Sequence, residues 1–300
     1  MAGLVPAIHV LLSYEKGVDA RHIGERSDAV LRTAMAGHDE LKGYAIMDQS
    51  AIDELATTFI RARRTGERLD ALPARLAPKN FKESCAVMDA VDKLVGEPIV
   101  GTKIAAKPGA EVVYAPLPAG RVFNSPARVP RALTPCQYME CEISFHLTRD
   151  LPARAAEYSE AEVFDALEGC AAFELVDSRF RDLKSAMENM PYQFYADHIA
   201  NGAMVFGAFR TDWQKFDFGN TRVSMKQGGR TIIEKTGGHP TGNPAKPALV
   251  MANLRRGTTG LQAGTFVVTG SFTGFHPVEL DKPVTGEFEG FGTMEATIVV

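Results

Sequence analysis

Three glutamates carry the clearest chemistry in this chain. Glu140 and Glu142 stand two residues apart in Tyr138-Met139-Glu140-Cys141-Glu142-Ile143-Ser144-Phe145-His146-Leu147. Met139, Cys141, Ile143, Phe145 and Leu147 share one parity and are apolar; Tyr138, Glu140, Glu142, Ser144 and His146 share the other. A period of two is a strand with one face on the core. Both carboxylates then point the same way, close enough to repel unless a cation lies between them. Further on, Glu174 sits inside the apolar run Ala171-Ala172-Phe173-Glu174-Leu175-Val176, where a carboxylate needs a cation, an arginine or a proton. The three acids together offer hard oxygen ligands that suit Mg²⁺ or Mn²⁺ and leave positions for water and substrate. Plainer alternatives stay open: a solvent-facing strand for the pair, and a buried ion pair with Arg179 or Lys103 for Glu174. His146 shares the glutamates' parity but lies roughly 13 Å beyond Glu142 along a strand, and is left out of the ligand set.

The bulk numbers bound the function classes. The chain has 300 residues, 45% hydrophobic and 23% charged, with a net charge of -4. No basic surplus drives nucleic-acid binding and no Lys/Arg run marks a membrane patch. The apolar run from Leu4 to Leu12 carries Pro6 and His9; it is too short to span a bilayer and a poor signal peptide. Cys85, Cys136, Cys141 and Cys170 show no CxxC or zinc spacing. The expectation is a soluble cytoplasmic protein with reduced cysteines.

The elements that must position the acids follow from periodicity. Residues 1–44 show no lasting helical or strand period, and stretches such as Gly3-Leu4-Val5-Pro6-Ala7-Ile8-His9-Val10 resemble translated dispersed repeats. This segment is expected to be a dispensable, disordered extension. Residues 45–96 are expected to be a helical N-terminal part. In its first helix Ser50 is the cap, with Ile52, Leu55, Ala56, Phe59 and Ile60 at helical spacing. A second helix covers 81–95, with Phe81, Cys85, Met88, Val91, Leu94 and Val95 inside and Gly96 as the stop. Residues 97–300 read as a β-rich core, with strands expected over 99–105, 120–124, 136–147, 171–177, 204–209, 221–226, 231–234, 265–269 and 295–300. Gly228-Gly229 reads as a hairpin turn. Two helices interrupt the strands, one capped by Ser159 and Glu162 and ending near Gly169, the other over 247–256. Without an alternating βα pattern, the class is α+β and β-rich.

Several motifs recur together and in order: Ile99-Val100-Gly101-Thr102-Lys103-Ile104, Glu140-Cys141-Glu142, Arg149-Asp150-Leu151-Pro152, Phe173-Glu174-Leu175-Val176-Asp177-Ser178-Arg179, Ala196-Asp197, Gly260-Leu261-Gln262-Ala263-Gly264 and Val268-Thr269-Gly270-Ser271. Over roughly residues 48–300 the chain resembles the 2-keto-4-pentenoate hydratases, in the hydratase and decarboxylase branch of the fumarylacetoacetate hydrolase superfamily. The resemblance implies a mixed β-roll like the C-terminal domain of fumarylacetoacetase, with small N-terminal helices. It implies a divalent metal held by Glu140, Glu142 and Glu174, with Lys103 near a small 2-oxo acid or dienol derived from aromatic ring cleavage. It also implies a homo-oligomer that associates with a related decarboxylase or aldolase.

Catalytic candidates are then Lys103, Asp177 and His198; substrate-binding candidates are Asp197, Thr269, Ser271 and Arg179. Lys103, beside a cation, is expected to have a lowered pKa and to move a proton or anchor the anion. Asp177 or Arg179 would orient a ligand, Asp197 and His198 would line the pocket, and Thr269-Gly270-Ser271 would hydrogen-bond a substrate carboxylate. His239, in Gly237-Gly238-His239-Pro240, reads as a loop residue rather than a base. The family often has Asp-Asn-x-Ser where this chain has Asp197-His198-Ile199-Ala200. The first functional reading is a lyase that hydrates 2-hydroxy-2,4-dienoates to 4-hydroxy-2-oxo acids. The alternatives are an oxalocrotonate-type 2-oxo acid decarboxylase, a C–C bond hydrolase, for which no His stands upstream of Lys103 in the organised region, and a non-catalytic subunit.

Overall fold

The computed structural model describes residues 47–300; the expected extension over 1–44 lies outside the described residues. Among the described residues thirteen strands form two mixed sheets. The first has the order β2 (Val113–Pro118), β1 (Ile99–Ala105), β10 (Phe266–Ser271), β5 (Tyr138–Leu147), β6 (Leu167–Val176), β7 (Asn201–Phe206), β3 (Val122–Asn124), with β11 (His276–Pro277) paired to β5. The second runs β4 (Ala127–Pro130), β13 (Gly292–Val299), β12 (Val284–Phe288), β8 (Arg222–Gln227), β9 (Arg230–Thr236). Among the described residues six α-helices accompany them: α1 (Gln49–Thr65), α2 (Phe81–Val95), α3 (Glu160–Phe164), α4 (Leu183–Asn189), α5 (Pro191–Ala196) and α6 (Lys246–Arg255). The β-rich α+β class expected from the pattern is the class found.

Strand β5 holds its register by its apolar parity. Met139, Cys141, Ile143, Phe145 and Leu147 are at most 1% exposed and pack against the second sheet. The sheets approach closely at Gly286 of β12, where an added Cβ would stand 2.7 Å from the Phe173 ring of β6. The other face of the first sheet is rolled: Leu117 of the edge strand β2 packs in one cluster with Cys170, Ala172, Met204, Phe206 and Val268 from strands further round. Phe206 stacks on Phe266 at 4.7 Å in this cluster.

The helical layer covers the edge of the roll. Leu55 and Phe59 of α1 and Met88 and Val91 of α2 are buried against Val113, Ala115 and Phe180, and Phe59 meets Phe180 edge-on at 6.1 Å. Helix α2 has the expected bounds, because Asn80 accepts Glu83 N–H at 2.9 Å and Gly96 closes it with φ 70°. Among the described residues no helix is long and apolar enough to cross a membrane.

Other expectations need correction. Helix α1 starts at Gln49, so Ser50 is not its cap but lies in the first turn and donates to Asp48 at 2.7 Å. Leu94 is 53% exposed rather than inside. The Ser159–Glu162 capping box exists, but α3 stops at Phe164 and Gly169 lies within β6, pressed against Phe145 and Trp213. Strands β2, β4, β11 and β12 and helices α4 and α5 are present in addition to the expected elements. Pro116 and Pro118 hide β2; they are tolerated because β2 pairs only with β1. The Gly228-Gly229 turn is as expected, with φ 57° and 79° joining β8 to β9.

Phe59→Ala should cost about 3–5 kcal/mol, whereas Leu94→Ala should stay within about 0.5 kcal/mol of wild type. Urea unfolding of the two variants checks this; a neutral Phe59→Ala would mean that α1 does not depend on this packing.

Candidate metal centre

Glu140 of β5 lies directly opposite Glu174 of β6, and Glu142 lies opposite Ala172 on one side and Ser271 of β10 on the other. The apolar register on the opposite face therefore forces the three acids together. Glu140 is 8% exposed and Glu142 and Glu174 are fully buried. One oxygen from each lies within 4.8 Å of the others. At an effective dielectric of about 20, two full charges at that separation repel by roughly 3–4 kcal/mol.

One cation is already present among them. Lys103 of β1 places Nζ 2.5 Å from Glu174 Oε1 and 3.1 Å from the Ile199 carbonyl. Of the two ion-pair partners considered for Glu174, the lysine is the one found. Burial opposes the lysine's charge, but Glu174, Glu140 and Glu142 outweigh it and hold its pKa above the ordinary value. In the metal-free site these carboxylates favour the charged ammonium, whereas the expected lowering concerns a lysine beside a bound cation. A single ammonium still leaves two negative charges in excess. Burial, then Glu174, pushes Glu140 up to about 8. Burial, then Glu174 and Glu140, raises Glu142 well above the usual carboxylate range. Glu142 Oε1 and Glu174 Oε2 are buried without a hydrogen-bond partner. Three hard oxygen donors, two with an unused buried oxygen, fit a divalent cation of the Mg²⁺ or Mn²⁺ type.

The end of β10 frames this cluster. Gly270 N–H points at Glu142 Oε2 over 3.4 Å. Ser271 lies beside Glu140 and accepts Thr273 N–H at 3.2 Å and Gly274 N–H at 2.9 Å. Thr269 donates its hydroxyl to the Ile143 carbonyl at 2.8 Å. His239 is a loop residue, as expected, and it is buried, with Nε2 3.0 Å from the Thr269 carbonyl. Ser144, next along the glutamate face, is buried with its hydroxyl unpartnered.

The remaining candidates form a separate, mutually satisfied network. Asp197 accepts from Arg179 N–H at 2.8 Å, from Ser178 Oγ at 2.9 Å and from Arg179 Nε. Asp177 accepts from Arg68 at 2.9 Å and Cys136 N–H at 3.2 Å, with Arg179 at 3.5 Å. His198 places Nδ1 3.0 Å from Arg63 of α1 and Nε2 2.9 Å from Asp92 of α2. An arginine can only donate, so Nδ1 accepts and Nε2 carries the proton. Burial lowers the pKa of this ring, keeping it neutral. No sequence spacing pointed to Arg63, Arg68 or Asp92 as these partners.

What this network reaches is the backbone. His198, Ile199 and Ala200 have φ 54°, 52° and 56°, a left-handed turn costing about 1–2 kcal/mol per residue outside glycine. Ala200 N–H bonds to Asp197 O at 3.1 Å and Asp177 N–H to Ala200 O at 2.8 Å. The turn so pinned delivers the Ile199 carbonyl to Lys103.

No family model matches the chain. The 4-oxalocrotonate decarboxylase of Pseudomonas putida is 26% identical over 128 residues, which is 42% of this chain and 47% of that protein. The enzyme of the same name from Pseudomonas sp. (strain CF600) is 25% identical over 128 residues, again 47% of its length. The match thus spans about half the length of these curated relatives. In fold, the chain is similar to the 4-oxalocrotonate decarboxylase from Pseudomonas putida G7 complexed with magnesium and adipate, with TM-score 0.69, 16% identity, and coverage of 86% of this chain and 100% of that one. It is also similar to the fumarylpyruvate hydrolase from Pseudomonas aeruginosa in complex with Mn²⁺ and pyruvate, with TM-score 0.50, 16% identity, and coverage of 68% and 91%. The fold is the fumarylacetoacetate hydrolase-like one that the motifs implied.

Because Glu140 protonates near 8 in the fold against 4.5 unfolded, the folded state holds the extra proton between these values. Metal-free stability should therefore fall as pH rises through that window, and an added cation must displace the proton. Mn²⁺ at about 100 times its Kd should stabilise by about 2.7 kcal/mol. At a fixed concentration its gain in Tm should be larger near pH 8 than near pH 6, and Glu142→Gln should abolish it. Calorimetry at both pH values checks this; a gain that shrinks with rising pH would contradict it.

Proposed function

We propose that this chain is a divalent-metal-dependent lyase of small 2-oxo acids, decarboxylation being the first reading and hydration of a 2-hydroxy-2,4-dienoate the second. The observation that carries it is the buried trio Glu140, Glu142 and Glu174 with two unpartnered oxygens beside Lys103. These three residues would hold Mg²⁺ or Mn²⁺, which when bound supplies a Lewis acid for the C1 carboxylate and C2 oxygen of a 2-oxo acid as negative charge develops there.

The chain's own residues supply the rest. Lys103, kept charged by the carboxylates and aimed by the Ile199 carbonyl, suits the donation of a proton to carbon as CO₂ leaves. The apolar cluster of Cys170, Ala172, Met204, Phe206 and Val268 would receive the carbon skeleton and keep water from the anionic species. Asp177, Arg179, Asp197 and His198 would act by holding the turn 198–200. Ser271 would frame the entrance beside Glu140, and Thr269 would brace the end of β10 through the Ile143 carbonyl.

Two observations move decarboxylation ahead of the hydration favoured by the motifs alone. The curated relatives matched over 128 residues are decarboxylases. Hydration also needs a base to activate water, and His198, the titratable candidate nearest the turn, is tied to Arg63 and Asp92.

The full chain should release CO₂ from 4-oxalocrotonate only with Mg²⁺ or Mn²⁺ present, and Glu142→Gln should lose this activity. Lys103→Met should lower kcat by about 10²–10⁴-fold while still binding Mn²⁺. Loss of 2-hydroxypenta-2,4-dienoate absorbance without CO₂ would instead establish the hydratase. Turnover of neither substrate by a metal-binding protein would refute both readings.

A further inference from the structure

His239 belongs to the loop between β9 and α6, which carries none of the three glutamates, yet its ring ends at the metal centre's edge. The loop has little freedom. A Cβ on Gly238 would meet the Phe272 carbonyl at 2.8 Å, and Pro240 restricts the backbone of His239. The ring packs on Phe272 with centroids 5.1 Å apart and is buried.

The protonation of this ring follows from its neighbours. Thr241 N–H lies 3.3 Å from Nδ1 and can only donate, so Nδ1 accepts. The Thr241 hydroxyl is 2.8 Å from the same nitrogen. In the neutral ring the proton then sits on Nε2, where it faces the Thr269 carbonyl at 3.0 Å.

That carbonyl and the Gly270 N–H are the two ends of one peptide plane. In a trans peptide they point in opposite directions. Here the C=O end is taken by His239 and the N–H end faces Glu142 Oε2 at 3.4 Å. Gly270 has φ 115°, a conformation open to glycine, and a glycine on one side of a peptide lets that plane rotate cheaply. Something must hold it. On the β5 side, Thr269 Oγ1 bonds Ile143 O at 2.8 Å and Phe272 N–H bonds Cys141 O at 2.9 Å, which fix the chain before and after the plane but not the plane itself.

We infer that His239 is a positioning residue: by donating Nε2–H to the Thr269 carbonyl it locks the 269–270 peptide so that Gly270 N–H holds Glu142 as a metal ligand. The donation also polarises the amide and strengthens its N–H as a donor. The link to metal rests on the function proposed above; the locked peptide does not.

Two variants separate the donor from the ring. His239→Phe keeps the packing on Phe272 and removes the donor, whereas His239→Gln places an amide N–H near the position of Nε2. Exchange of the Gly270 amide, followed by NMR on protein labelled with ¹⁵N-glycine, reports the peptide plane, and titration with Mn²⁺ reports the ligand. His239→Phe should speed Gly270 exchange by about tenfold or more and weaken Mn²⁺ binding by about 10–100-fold. His239→Gln should keep both near wild type. If His239→Phe does not fold, His239→Gln decides alone, because a role limited to ring packing predicts that it fails. A folded His239→Gln with exposed Gly270 and weakened Mn²⁺ binding overturns the inference, as does a folded His239→Phe that matches wild type in both. Wild-type protein that binds no Mn²⁺ while His239→Phe still frees the Gly270 amide would sink the metal reading and leave the locked peptide standing.

Discussion

Charge repulsion among Glu140, Glu142 and Glu174 is the constraint around which this structure is arranged. Their oxygens stand within 4.8 Å on a face shielded from water, where separating like charges by relaxation is not available to them. A one-residue slip of β5 would move the acids to the interface between the sheets and turn Met139, Cys141, Ile143 and Phe145 onto the face the acids now occupy. With those side chains at most 1% exposed, the hydrophobic term on one face fixes the electrostatic problem on the other. Burial of apolar area thus sets the position of the site, and the site's charge is left to be neutralised by Lys103, by protons or by a cation.

The answer to that problem reaches far from the strands that create it. Lys103 is aimed by the carbonyl of Ile199, which sits in a left-handed turn that β-branched side chains avoid. Such a turn persists when its surroundings over-determine it. Here Asp197 is gripped by Arg179 and Ser178 behind it, and His198 is gripped by Arg63 and Asp92 from α1 and α2. The N-terminal helices are therefore coupled to the lysine through one imidazole ring and one peptide carbonyl. His239 performs a parallel task at the end of β10. Both histidines are buried, and each bonds to groups that hold a backbone segment beside the glutamates.

What was legible in the sequence follows the range of the forces involved. The period of two in β5, the isolated acid in the run around Glu174 and the Gly96 stop of α2 are local patterns, and each reads directly. Lys103 as partner to Glu174 was one of two options, resolved only by the parallel pairing of β1 with β10. Without a metal the three glutamates raise its pKa; the lowering expected beside a bound cation concerns the metal-loaded site. Helices α4 and α5, seven and six residues long, are too short to show a helical period. The partners Arg63, Asp92 and Arg68 lie around a hundred or more residues from the groups they bind; such contacts leave no mark on local spacing. His239 looked like a loop residue because it is one; its burial comes from Phe272, a neighbour only in three dimensions.

The same geometry bears on which reaction the centre favours. In the Asp-Asn-x-Ser pattern of the resembling family, an amide and a hydroxyl stand where this chain has His198 and Ala200. The imidazole turns away to Arg63 and Asp92, and Ala200 has no polar side-chain atom, so this turn offers the site a backbone carbonyl and nothing else that bonds to water. That carbonyl is already occupied by Lys103. A site meant to add water must hold and orient it with donors and acceptors; a site meant to expel CO₂ gains from a dry apolar floor and one well-placed proton. The turn 198–200 has neither of those polar side chains, and Lys103 pairs with Glu174 beside a buried cluster that includes Cys170, Ala172, Met204 and Val268. The departures at 198 and 200 thus change the turn that holds Lys103 and leave the three glutamates as they are.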